Sequence, residues 1–121
     1  MAKVTGLGGV FYKVEDTERT ARWYRETLGL GGEWGIMFPF AGSEGGYSLL
    51  SAFKASSDYF PSDRSAMINL RVRDLAPLLD QLRAAGIEIT REETHEGVGS
   101  FARVHDPEGN PIELWEPPAE A

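Results

Sequence analysis

Residues 14–30 read VEDTERTARWYRETLGL, and residues 72–87 read VRDLAPLLDQLRAAGI. The two stretches carry the same punctuation. Asp16 and Asp74 stand 58 residues apart, and Gly29 and Gly86 stand 57 apart. Each Asp is placed to N-cap a helix, its carboxylate accepting backbone N–H groups that lack an intrahelical partner. Each Gly is placed just past the helix end, where a left-handed backbone costs it least. In the second stretch Leu75, Leu78, Leu79 and Leu82 fall at i, i+3, i+4 and i+7, an apolar stripe. Pro77 lies in its first turn, where a missing N–H is tolerated. In the first stretch Trp23, Tyr24 and Leu28 are the apolar contacts, and Arg19, Arg22 and Arg25 point to solvent.

Strands are expected on both sides of each helix. Val10, Tyr12 and Val14 alternate with Gly9, Phe11 and Lys13, and Ile68, Leu70 and Val72 alternate with Met67, Asn69 and Arg71. After the first helix the sequence predicts short strands near Gly32–Trp34, Ile36–Phe40 and Tyr47–Phe53. After the second it predicts them near Glu88–Glu92, Ser100–His105 and Pro111–Glu116. Asp106-Pro107-Glu108-Gly109-Asn110 joins the last two with strong turn chemistry. The chain thus reads as two β-α-β-β-β modules, residues 4–53 and 66–117, joined by a polar linker at 54–65. A unit of this length holds too little core to stand comfortably alone, so the modules are expected to pair their sheets.

Composition narrows the function. The 121 residues are 41% hydrophobic and 26% charged, an ordinary globular mixture. Nineteen acidic against 12 basic residues leave a net charge of −7, which repels a phosphate backbone and argues against nucleic acid. No apolar run approaches the roughly 20 residues of a membrane helix, so no membrane partner is expected. With no Cys there is no disulfide framework or thiolate, and a reducing cytoplasm fits best. Gly6-Leu7-Gly8-Gly9 and Gly29-Leu30-Gly31-Gly32 do not lie between a strand and a helix start, so a phosphate-cradling loop is unsupported.

The stretch at 14–30 resembles the D-x5–6-[FW]-Y-x3-LG signature of the glyoxalase/bleomycin-resistance/extradiol-dioxygenase superfamily, also called vicinal oxygen chelate. DPEGNPIELWEP at 106–117 resembles its closing DP-x-GN-x-x-EL hairpin. The resemblance covers nearly the whole chain. It implies an α+β fold in which two βαβββ modules make an eight-stranded, cup-shaped incomplete barrel, often in a dimer. A symmetric homodimer is therefore expected, since open sheet edges are usually paired or buried.

The resemblance also implies a metal held at equivalent places in the two modules. Here those places fall on Gly9, Met67, Ser48 and Glu113. Gly9 has no side chain, Met67 offers a soft thioether and Ser48 a neutral hydroxyl, while a stable divalent site normally needs at least three good ligands. The expectation is no metal and no other cofactor.

Strand parity then assigns the cup lining. Phe11, Lys13, Met67, Asn69, Arg71, Phe101, Arg103, His105 and Trp115 face inward as ligand-binding candidates, with Glu113 among them as the catalytic candidate. Aromatic surface with convergent polar groups is the usual make-up of a small-molecule pocket. Its basic groups favour an anionic or aromatic molecule. Glu113 has two readings: a cross-strand ion pair with Arg103, or a general base or lone ligand of a displaced metal. His105 reads as a turn residue, His95 as solvated within the polar stretch 92–99 or reaching over the cup from it, and Phe38, Phe40, Tyr59 and Phe60 as residues that could close the mouth. The chain is expected to bind a small anionic or aromatic molecule. The alternative is a lyase, isomerase or dioxygenase working through Glu113.

Overall fold

The computed structural model describes residues 2–31, 35–39, 47–61 and 63–118. The elements run β1 (Lys3–Val14), α1 (Thr17–Leu28), β2 (Ile36–Pro39), β3 (Tyr47–Lys54), β4 (Ala66–Arg73), α2 (Leu75–Ala84), β5 (Arg91–His95), β6 (Gly99–His105) and β7 (Pro111–Glu116). This is a mixed α+β arrangement. The second β-α-β-β-β order is present in full. In the first, the strand expected at Gly32–Trp34 lies outside the described residues, as does Phe40.

Two compact units share the chain. One combines Met1–Gly8 with Ile68–Ala121, and the other is Gly9–Met67. β1 therefore contributes its first half to one unit and its second half to the other.

In the Met1–Gly8/Ile68–Ala121 unit the strands follow the order β1-β4-β7-β6-β5. β4 and β7 are parallel, and β7-β6-β5 is an antiparallel meander. α2 covers one face of this sheet. Val72, Leu75, Leu79, Ala102 and Leu114 are buried together there, with Leu70, Leu78, Leu82, Val104 and Ile112 packed around them. These are the even positions of β4, β6 and β7, so the period-two reading of all three strands holds. Asn69, Arg71, Phe101, Arg103, Glu113 and Trp115 stand on the opposite face.

Two expectations fail in this unit. The strand predicted at Glu88–Glu92 is found at Arg91–His95, three residues later, because β5 takes its register from the hairpin with β6, where His95 pairs with Gly99. Asp74 does not cap α2 through its side chain. Its backbone is left-handed (φ 59°), and the Asp74 and Leu75 N–H groups donate to the two oxygens of Glu116, at 3.1 and 3.2 Å. A carboxylate from β7 thus does the work assigned to Asp74. The helix end follows expectation, with Gly86 left-handed at φ 82°.

In the Gly9–Met67 unit the order is β2-β3-β1, with β1 and β3 parallel. Asp16 caps α1 as the sequence predicts: its Oδ1 accepts the Arg19 N–H at 2.9 Å, and Gly29 ends the helix at φ 70°. No residue of α1 is buried. The core of this unit is Phe11, Phe60 and Met67, flanked by Leu49, Phe53 and Tyr59. Among the described residues no helix is long and apolar enough to cross a membrane.

Candidate functional site

The face of the β4-β7-β6-β5 sheet opposite α2 is laid out in rows by hydrogen-bond register. Asn69, Glu113, Arg103 and Arg91 form one row. Arg71, Trp115, Phe101 and Glu93 form the next, and Gly99 with His95 begins a third. Polar groups on this face go from deeply buried to open. Asn69 and Glu113 are each 2% exposed, Arg103 7% and Arg71 8%, whereas the His95 side chain is 58% exposed.

Glu113 is the hub of the buried row. Its Oε1 accepts a 2.7 Å hydrogen bond from Asn69 Nδ2, and its Oε2 lies 3.9 Å from Arg103 Nη2. The cross-strand pairing of Arg103 and Glu113 follows from their register, fixed by the tight hairpin between β6 and β7. Asn69 Oδ1 is buried with no hydrogen-bond partner among the described residues. It lies against Gly8, where an added Cβ would clash with it, so this close approach requires glycine at position 8.

The second row is an aromatic floor. Phe101 and Trp115 stack with centroids 6.3 Å apart at 10°, and the Trp115 indole N–H donates to Val98 O at 2.9 Å. His95 adds a third ring, 5.9 Å from Phe101. Glu93 lies between His95 and Arg91: its Oε2 is 3.1 Å from His95 Nε2, and its Oε1 accepts from Arg91 Nε at 2.7 Å. The His95 contact, and after it Arg91, hold the Glu93 carboxyl below the ordinary glutamate range.

Six of the sequence candidates therefore share one face: Asn69, Arg71, Phe101, Arg103, Glu113 and Trp115. His105 is exposed at the far end of β6, opposite Pro111. Phe11 and Met67 lie in the hydrophobic core of the Gly9–Met67 unit. Lys13 is committed within that unit too, donating to Phe60 O at 3.2 Å and Pro61 O at 2.9 Å with its ammonium over the Phe60 ring. Tyr59 and Phe60 of the linker pack into this core, Phe60 at 1% exposure. Sequence reasoning missed Arg91 and Glu93 and read His95 first as solvated, with a reach over the cup as its alternative. The alternation of Arg91, Glu93 and His95 ahead of the glycines at 97 and 99 was the available signal.

The structure also moves one metal correspondence. The 58-residue offset equates Phe11 with Asn69; Asn69 pairs with Glu113, and Phe11 pairs with Ser51. The counterpart of Glu113 is thus Ser51, and Ser48 points to the other face of β3. Of the corresponding residues Gly9, Met67, Ser51 and Glu113, Glu113 is the one with an anionic oxygen, and its Oε1 already accepts from Asn69. Among the described residues no group of three His, Asp or Glu side chains could hold a metal.

Comparison with known proteins adds the lineage of the fold. A family model described as Glyoxalase/Bleomycin resistance protein/Dioxygenase superfamily matches residues 6–114. Methylmalonyl-CoA epimerase from Mycobacterium tuberculosis is similar at 27% identity and TM-score 0.67, over 96% of this chain and 90% of that one. Streptomyces coelicolor methylmalonyl-CoA epimerase, in a complex of a single-substitution variant with 2-nitronate-propionyl-CoA, has a TM-score of 0.74 at 18% identity. That likeness covers 97% of this chain and all of the other, and it speaks for the fold alone. No curated protein sequence matches the chain.

Proposed function

The chain belongs to the Glyoxalase/Bleomycin resistance protein/Dioxygenase superfamily, and from that premise we propose that it binds a small aromatic anion on the face of the β4-β7-β6-β5 sheet opposite α2, without a divalent metal. One observation carries this reading: Arg71 and Arg103 are buried there with Glu113, beside the stacked rings of Phe101 and Trp115. By strand parity Arg71, Arg73, Arg91 and Arg103 stand on this face against Glu93 and Glu113, a formal excess of +2 among the described residues of a protein of net charge −7. A buried positive excess favours an anion, and the rings supply apolar area for the rest of the ligand.

The test is calorimetric titration with cinnamate, a carboxylated aromatic probe. Arg71→Ala is expected to weaken binding by about 1.5–3 kcal/mol, the scale of a charged hydrogen bond. Glu113→Gln is expected to change it much less, or to improve it by removing a negative charge. Affinity is expected to be the same with and without a chelator. Stoichiometric metal that co-purifies and is lost in Glu113→Gln would overturn the metal-free reading.

A second reading has its own support in the likeness to the M. tuberculosis epimerase. In it Glu113 takes a proton next to the carbonyl of an acyl thioester, and the Arg103 cation opposes the enolate charge. Deuterium uptake from D2O into methylmalonyl-CoA, abolished in Glu113→Gln, is its expected signature.

A further inference from the structure

Arg91, Glu93 and His95 lie at alternate positions of β5, on the same side of the sheet as the buried guanidinium of Arg103. Arg91 approaches Glu93 Oε1 through Nε and Nη2, each at 2.7 Å, which leaves Oε2 for His95. A carboxylate accepts and does not donate, so His95 Nε2 carries the proton of the neutral ring. Nδ1 is then its acceptor. The imidazole is open to solvent and stands beside Phe101. Opposite it, the Trp115 indole covers Gly99, where an added Cβ would lie 2.9 Å from Nε1. The open end of the face thus carries the rings of Phe101 and His95 with one oriented acceptor.

Distance links this end to the buried one. Arg103 and Gly99 are four residues apart on β6, so the guanidinium row and the imidazole row are separated by roughly 13 Å. We propose that His95 is a specificity-determining residue. The face takes an elongated aromatic carboxylate, with the carboxylate toward Arg103, the ring on Phe101, and a hydroxyl at the far end donating to His95 Nδ1. Glu93 is the positioning residue, and Arg91 holds Glu93. The proposal rests on the anion-binding reading above and narrows it to ligands polar at both ends. A para-hydroxylated phenylpropenoate has a matching length once a hydrogen bond is added at each end.

The experiment compares 4-hydroxycinnamate with cinnamate by calorimetry on the full chain. The wild type is expected to bind 4-hydroxycinnamate about tenfold more tightly, the effect of one added hydrogen bond. His95→Phe keeps a ring and removes the acceptor, so it is expected to abolish that preference. Glu93→Ala is expected to lose part of the preference in the wild-type background and to have no effect on it in His95→Phe. Arg103→Met is expected to weaken both ligands alike. Equal wild-type affinity for the two probes overturns the proposal, as does His95→Phe weakening both equally. Failure to bind either probe overturns the anion-binding reading itself, and this inference with it.

Discussion

Tyr12 shows how one side chain can report on a fold. It lies on the face of β1 opposite Phe11 and Lys13, hydrogen-bonded to Tyr24 of α1. Desolvation, and after it that hydrogen bond, push its phenol up to about 12. A raised pKa means that the fold holds the proton more tightly than the unfolded chain does. The stabilisation is complete below the ordinary tyrosine value of about 10, and it is lost as pH rises through the folded value near 12. Spectrophotometric titration is expected to show one late phenolate step that disappears in Tyr12→Phe. At this scale the sequence was legible wherever period-two alternation governs, as at Glu113, Arg103 and Trp115. It was illegible for Lys13, whose parity is that of Phe11 but whose ammonium is taken by the carbonyls of Phe60 and Pro61. Those acceptors lie in a linker that no periodicity could place.

At the scale of elements, the two helices show why one cap was readable and the other was not. Asp16 caps α1 from its own flank, so the local motif contains the whole interaction. α2 receives both oxygens of Glu116, 41 and 42 residues further along the chain, a tertiary contact that outcompetes the local Asp74. Asp74 then occupies a left-handed backbone, a conformation that costs a non-glycine residue roughly 1–2 kcal/mol. Glu116→Ala removes both acceptors and is expected to lower stability by about 1–2 kcal/mol. Urea unfolding checks this as a lower midpoint with an unchanged slope. β7 was read to the residue because Pro111 starts it and the 106–110 turn precedes it. β5 was misplaced because the apolar and charged residues at 87–92 alternate well enough to imitate a strand.

The whole molecule exposes apolar surface in both units. Val4 and Leu7 are about half exposed on β1, and Trp23 and Leu28 are likewise exposed on α1. Such surface, on a helix that buries none of its residues, supports the homodimer expected from the sequence. Light scattering at micromolar concentration is expected to give twice the chain mass of 13.3 kDa; a mass of one chain at every concentration would refute it. The division of β1 has a consequence in time. One unit is closed by the first eight residues and by Ile68 onward, and Ile68 follows Gly8 by 60 residues. A ribosome adding 5–20 residues per second needs roughly 3–12 s to cross that interval. During it the leading strand, with Val4 and Leu7, is outside the tunnel before β4 has been made. Nascent chains stalled before residue 68 should therefore be the species most readily captured by a chaperone, and release past β7 should end that capture.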